Sequence, residues 1–177
     1  PSRLADVKQG IEQYANLRRQ DKVSEAIEAL AAVQALDLDL PAIPMERSIC
    51  LFQLGRTAES LALLERTRQA HPDVYYLWFN SGLMLLRAGR ADDAQSVLSR
   101  AIALGDSPPE ARFALACAYS EQGVESQAWE VLNELASTHP KQLGQWLADG
   151  APYVRKLRRD PRYPLLCRRL GIPPESE

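Results

Sequence analysis

The residues that could do chemistry are few and widely spread. The two histidines, His71 and His139, each stand directly before a proline, Pro72 and Pro140. A metal site needs three or four His, Cys or carboxylate ligands converging on one point, and neither histidine belongs to such a spacing. Cys50, Cys117 and Cys167 are odd in number and far apart, so they suggest neither a disulfide framework nor a paired metal knuckle. Free thiols of this kind pack as small hydrophobes and favour a reducing compartment. Asp92-Asp93 could be an acid–base pair, but it follows Gly89 where a helix should begin, and carboxylates there favour the helix N-terminus. No glycine-rich phosphate loop, H-E-x-x-H or G-x-S-x-G is present. Neither catalytic residues, nor metal ligands, nor a cofactor are expected, and the chain does not read as an enzyme.

Charge is the one other chemical asymmetry. The net charge is −2 over 177 residues, but residues 1–140 hold 13 basic and 19 acidic side chains. Residues 141–170 reverse the sign, with Lys141, Arg155, Lys156, Arg158, Arg159, Arg162, Arg168 and Arg169 against Asp149 and Asp160. A split of this kind can mark an interaction surface as well as a solvated outer face. Arg155, Lys156, Arg158 and Arg159 are therefore candidates for contact with an acidic partner or an anionic membrane surface. Nucleic acid is disfavoured, because the array before them is negative and only Tyr153 and Tyr163 interleave the basic residues.

What must position any site is a repeat. Gly55, Gly89 and Gly123 lie 34 residues apart. Ile11, Met45, Phe79 and Phe113 keep the same beat and are always apolar. Ala26, Ser60, Ala94 and Ala128 keep it and are always small; Leu30, Leu64, Leu98 and Leu132 keep it as leucine. A period of this length marks a helix–turn–helix array whose units cannot bury their apolar faces alone. The glycines suit a left-handed residue at the reversal between two helices, and Asp21 is among the less costly substitutes. The small residues let the second helix approach the first, and the leucine four positions on seals the contact. Helices are expected near 4–19, 22–36, 44–53, 57–69, 74–87, 91–103, 109–121 and 125–137, then 142–149, 152–159 and 162–170. No run of about 18 apolar residues suggests a membrane span. The chain opens on Pro1 without a leader-like segment and reads as a piece of a longer protein.

Within one unit, Trp78, Gly82, Leu85, Gly89, Ala94, Leu98 and Ala101 follow W-x3-G-x2-L-x3-G-x4-A-x3-L-x2-A. This strongly resembles the tetratricopeptide repeat. The next unit agrees through Leu115, Ala116, Tyr119, Gly123, Ala128, Leu132 and Pro140; the unit before carries Pro44 at the aromatic position, and the first is the most degenerate. The resemblance implies an all-α, right-handed superhelical solenoid of antiparallel helix pairs. It divides a single domain, 1–177, into repeats at about 7–40, 41–74, 75–108 and 109–142, with a degenerate fifth unit and cap over 143–174. The stretch around Asp160-Pro161-Arg162-Tyr163 to Gly171-Ile172-Pro173 looks like a segment that often closes bacterial arrays of this type. Tyr163, Leu166 and Leu170 would then cover the last repeat.

The resemblance also implies where a partner binds, since first helices of the family line the concave side. Ile11, Met45, Ile49, Phe52, Tyr76, Phe79, Asn80, Leu83, Arg87 and Phe113 fall on that side, and the first, second, sixth and last of them draw an apolar line. Large apolar groups exposed in a groove mark a partner site. The carboxylate clamp by which some relatives grip chaperone tails would need Lys, Asn and Arg where Ile11, Ala15, Glu46, Tyr76 and Asn80 stand, so that use is disfavoured. The expected function is a protein-interaction scaffold or adaptor that takes a partner peptide or helix, as the soluble part of a bacterial membrane-associated assembly. A regulatory or nucleic-acid-associated module using the basic end is the alternative. The expected place is the cytoplasm, with a tether to the inner membrane through flanking sequence as an option and the periplasm left open.

Overall fold

The computed structural model describes residues 3–36, 38–149 and 152–173. The ends of the expected single domain, and residues 150, 151 and 174 of its cap, lie outside the described residues. Those described form eleven α-helices and one 3-10 turn. The helices are α1 Arg3–Arg19, α2 Val23–Gln34, α3 Ala42–Gln53, α4 Thr57–Ala70, α5 Tyr75–Arg87, α6 Ala91–Leu104, α7 Pro109–Gln122 and α8 Glu125–Thr138. After these come α9 Pro140–Ala148, the 3-10 turn Pro152–Val154, α10 Arg155–Arg158 and α11 Tyr163–Leu170. No described residue is in a strand, and no helix among them is long and apolar enough to cross a membrane. Two compact units are distinguished, residues 1–77 and 78–177.

The reversals inside the helix pairs take the backbone that the glycine period implies. Gly55, Gly89 and Gly123 have φ of 76°, 73° and 83°, and Asp21 has 58° at the equivalent place. In each case the amide after that residue bonds back to a carbonyl near the end of the first helix: Lys22 to Leu17, Arg56 to Leu51, Arg90 to Leu85 and Val124 to Tyr119, all at 2.9 Å. This closes the helix end by satisfying a carbonyl that would otherwise be orphaned.

The four small residues that follow, Ala26, Ser60, Ala94 and Ala128, are wholly buried, as are the leucines of their series at no more than 1% exposure. In the second pair the small position is a serine, and its Oγ donates to the carbonyl of Ser48 at 2.7 Å, joining α4 to α3. In the first unit, Val7, Leu30, Val33 and Ile43 make one core between α1, α2 and α3, with Tyr14 and Leu36 packed on it. In the second unit, α5 lies so close to α6 that Gly82 touches Leu98.

Asp92-Asp93 acts differently from a cap. No side-chain bond caps α6; instead Asp93 accepts from the Arg90 guanidinium, Nε at 2.7 Å and Nη2 at 2.6 Å. Arg56 and Glu59 repeat the arrangement one period earlier. The acidic charge still lies at the positive end of the helix dipole.

The tail packs back on the fourth pair. α9 lies against α8, α11 against both α8 and α9, and α10 against α7. Tyr163, Leu166 and Cys167 are buried, while Leu165 remains 60% exposed. Because terminal units of such arrays depend on a covering element, deletion of 141–177 should expose the apolar side of α8. Light scattering should then show self-association, with a lower melting temperature; an unchanged monomer would contradict this.

Candidate functional site

In the first unit α1 and α3 carry four of the expected partner-binding positions, Ile11, Met45, Ile49 and Phe52, and polar side chains beside them pair across the two helices. The Tyr14 hydroxyl donates to Glu46 Oε2 at 2.5 Å, and Arg18 Nη1 donates to Gln53 Oε1 across the same two helices. Burial, with the Glu46 carboxylate beside it, pushes the Tyr14 hydroxyl well above the ordinary tyrosine range. The polar members of this face are thus spent on holding α1 to α3. Of the apolar members, Ile11 is 42% exposed, Ile49 and Phe52 are half-buried, and Met45 is only 9% exposed. Met45 belongs to the core and not to an open apolar line.

In the second unit one face of α5 stays accessible. Phe79, Asn80 and Leu83 are half-buried and Arg87 is exposed, at spacings of one, four and eight residues that place them along one side of the helix. Tyr76, in the first turn of α5, is half-buried, and burial raises its hydroxyl pKa. Phe113 departs from expectation. It is 4% exposed, and its ring stacks on Trp146 of α9 with centroids 5.3 Å apart. The tail closes over α7 at that point, so Phe113 is core.

The basic residues divide in the same way. Arg155, Lys156 and Arg159 are exposed. Arg158 is half-buried, and its Nη2 donates to the carbonyl of Leu147 at 2.9 Å, which makes it a strut between α10 and α9 and not part of an open surface. Lys156 Nζ donates to the carbonyl of Glu121 at 2.9 Å at the end of α7. Together the exposed three border a cleft of about 650 Å³ whose other walls include Leu86, Arg87, Glu121 and Tyr153.

Beside this cleft sits a polar cluster that sequence reasoning did not foresee. Asp160 accepts from Trp129 Nε1 at 2.9 Å, from the Arg162 backbone amide at 2.8 Å, and from Arg162 Nε and Nη2 at 2.9 and 2.6 Å. The Arg162 guanidinium lies over the Trp129 ring, 4.9 Å from its centroid, and also reaches Glu125. The hydrogen bonds from Arg162 hold the Asp160 carboxyl down at about 2. The only sequence signal was the Asp-Pro-Arg run itself. Among the described residues no three His, Cys, Asp or Glu side chains group to hold a metal, and the two histidines sit at the C-terminal ends of α4 and α8.

Helix pairs of this length, joined by left-handed residues 34 positions apart, match the profile of the tetratricopeptide repeat over residues 16–73, 51–109 and 79–142. The chain belongs to the tetratricopeptide repeat family. Among curated proteins no relative is detected at the sequence level. Among solved structures, a MamA fragment from Desulfovibrio magneticus RS-1 is similar at TM-score 0.72 and 17% identity, covering 94% of this chain and 92% of that one. A tetratricopeptide repeat protein from Parabacteroides merdae reaches TM-score 0.77 at 18% identity, over 97% of this chain and 66% of that one. YrrB, described as a tetratricopeptide repeat protein with an unusual peptide-binding site, reaches 0.66 at 14% identity, over 81% and 74%. At these identities the likeness is one of fold. The array of this family is a protein-interaction scaffold.

Proposed function

We propose that this tetratricopeptide repeat array is a non-catalytic adaptor that binds a segment of a partner protein along its first helices, with the α5 face as the anchor. The observation that carries this reading is the row Phe79, Asn80, Leu83 and Arg87, which sets partly exposed apolar groups beside a free-standing cation on one helix. A helix or extended peptide docks on such a row by filling apolar positions and making a few polar contacts. That a protein of similar fold is described as having a peptide-binding site supports a peptide as the class of partner. The context we propose is the soluble part of a bacterial membrane-associated assembly, supported by the basic excess of residues 141–170. Three buried free cysteines fit a reducing compartment such as the cytoplasm.

The test is Phe79→Glu. Partners recovered by crosslinking from a bacterial lysate and identified by mass spectrometry should fall at least tenfold against wild type, since interface anchors cost about 2 kcal/mol or more when lost. Helical circular dichroism and melting temperature should stay near wild type. Global unfolding of the variant would place Phe79 in the core and remove the α5 face from the binding surface.

A further inference from the structure

We infer that the cleft between the C-terminal ends of α5 and α7 and the α10 segment is a docking site for an acidic peptide segment of a partner protein. This rests on the adaptor reading above and names the chemistry of its partner. The cleft, of about 650 Å³, is within the size range of sites that enclose a small ligand or a few peptide residues.

Its walls carry cations from separate elements. Arg87 closes α5, while Arg155, Lys156 and Arg159 come from α10 and the turn after it. Lys156 is already engaged with the Glu121 carbonyl. Arg87, Arg155 and Arg159 have no ion pair among the described residues, and all three are exposed. Guanidinium groups pair with carboxylates through two parallel N–H···O bonds, so several on facing walls favour a chain bearing more than one carboxylate. Three acids also line the cleft: Glu125 and Asp160 share the single guanidinium of Arg162, and Glu121 stands opposite, so Arg87, Arg155, Lys156 and Arg159 together with Arg162 still outnumber the carboxylates. Tyr153, half-buried between the walls, adds an aromatic surface for an apolar residue of the same segment.

The concave shape separates this from a lipid surface. A bilayer would be met by cations on a flat or protruding face, and the exposed carboxylate of Glu121 lines this cleft. A long polyanion is disfavoured by the net acidic charge of residues 1–140.

The test uses the whole chain and a fluorescein-labelled octapeptide of alternating acidic residues and leucine, read by fluorescence anisotropy. Its amidated counterpart, with Asn and Gln for Asp and Glu, is the control. The acidic probe should bind in a salt-sensitive way and the amidated one at least tenfold more weakly. Arg87→Glu and Arg155→Glu should each weaken the acidic probe at least tenfold with unchanged circular dichroism. Lys141→Glu and Arg169→Glu, basic positions of the same tail away from the cleft, should change it less than twofold. Absence of binding, equal binding of the amidated peptide, or equal loss with Lys141→Glu overturns the proposal. So does displacement of the probe by phosphatidylserine vesicles through the same two arginines, which would make the site lipid-directed. If Phe79→Glu abolishes partner recovery while Arg87→Glu and Arg155→Glu leave the probe unaffected, the cleft assignment fails and the adaptor reading stands.

Discussion

Gly82→Ala should destabilise the second unit by about 1–3 kcal/mol, the usual cost of forcing a group into a filled core. A Cβ built at Gly82 would lie 2.4 Å from both Cδ2 and Cγ of Leu98, a leucine with no exposed surface. Cγ is not the free end of a flexible chain, so relief requires moving the leucine or separating α5 from α6. Leu98→Ala on its own should cost about 2–5 kcal/mol through lost burial and the cavity left behind. In the double variant the added methyl has the vacated space to enter, so the two costs should not add; a coupling of about 1 kcal/mol or more is expected. Chemical denaturation of the four proteins measures it. Strict additivity would mean that the helices tolerate the extra carbon by shifting, and that the close approach contributes nothing to stability.

The second large effect is expected at Asp160. Its folded pKa of about 2 lies below the ordinary aspartate value of about 3.9. The sign follows from linkage: a depressed carboxyl stabilises the fold fully above the unfolded pKa and loses that contribution as pH falls through the folded one. Asp160→Asn should therefore cost about 2 kcal/mol near neutral pH, where charge-assisted bonds to Arg162 and Trp129 are weakened. The gap between wild type and variant should narrow from about pH 4 downward and nearly close at about pH 2. Thermal unfolding across that range reads it directly. A gap independent of pH would show that the carboxylate charge is not what holds α11 and α8 together.

The repeat register was legible because it rests on local demands that recur. A left-handed residue is required wherever the chain turns back within a pair, and glycine, or Asp21 in its place, reports that need without knowledge of neighbours. The buried small residues were legible for a similar reason, since one fixed helix spacing admits only Ala, Ser or Gly. Local rules were weaker where the repeat changes its chemistry. Asp106 and Ser107 also have positive φ, 55° and 58°, in the connection before α7, and these positions lie off the 34-residue beat of the glycines, so the period does not announce them.

The expected site was legible only as a set of positions on first helices. Their register followed from the 34-residue period, but exposure at each position is decided by what lies across from it. Phe79 and Phe113 hold the same place in successive units, yet Phe113 is covered by Trp146 because α9 folds back over α7. Residue 146 lies in the degenerate fifth unit, one position off the 34-residue beat from 113, so the period alone leaves the two phenylalanines equivalent. The same holds for Arg158, which is one of four basic residues within a stretch of five until the Leu147 carbonyl draws it inward.

By itself, then, the sequence determined helix pairs, their turns, their buried seams and the absence of a recognisable catalytic motif, because each of these is written in residue type and period. Only tertiary structure decided which apolar and basic side chains remain open to a partner. That choice depends on the non-repeating tail, whose helices α9 to α11 pack by shape and by the Asp160–Arg162–Trp129 cluster rather than by any spacing the repeat could foretell.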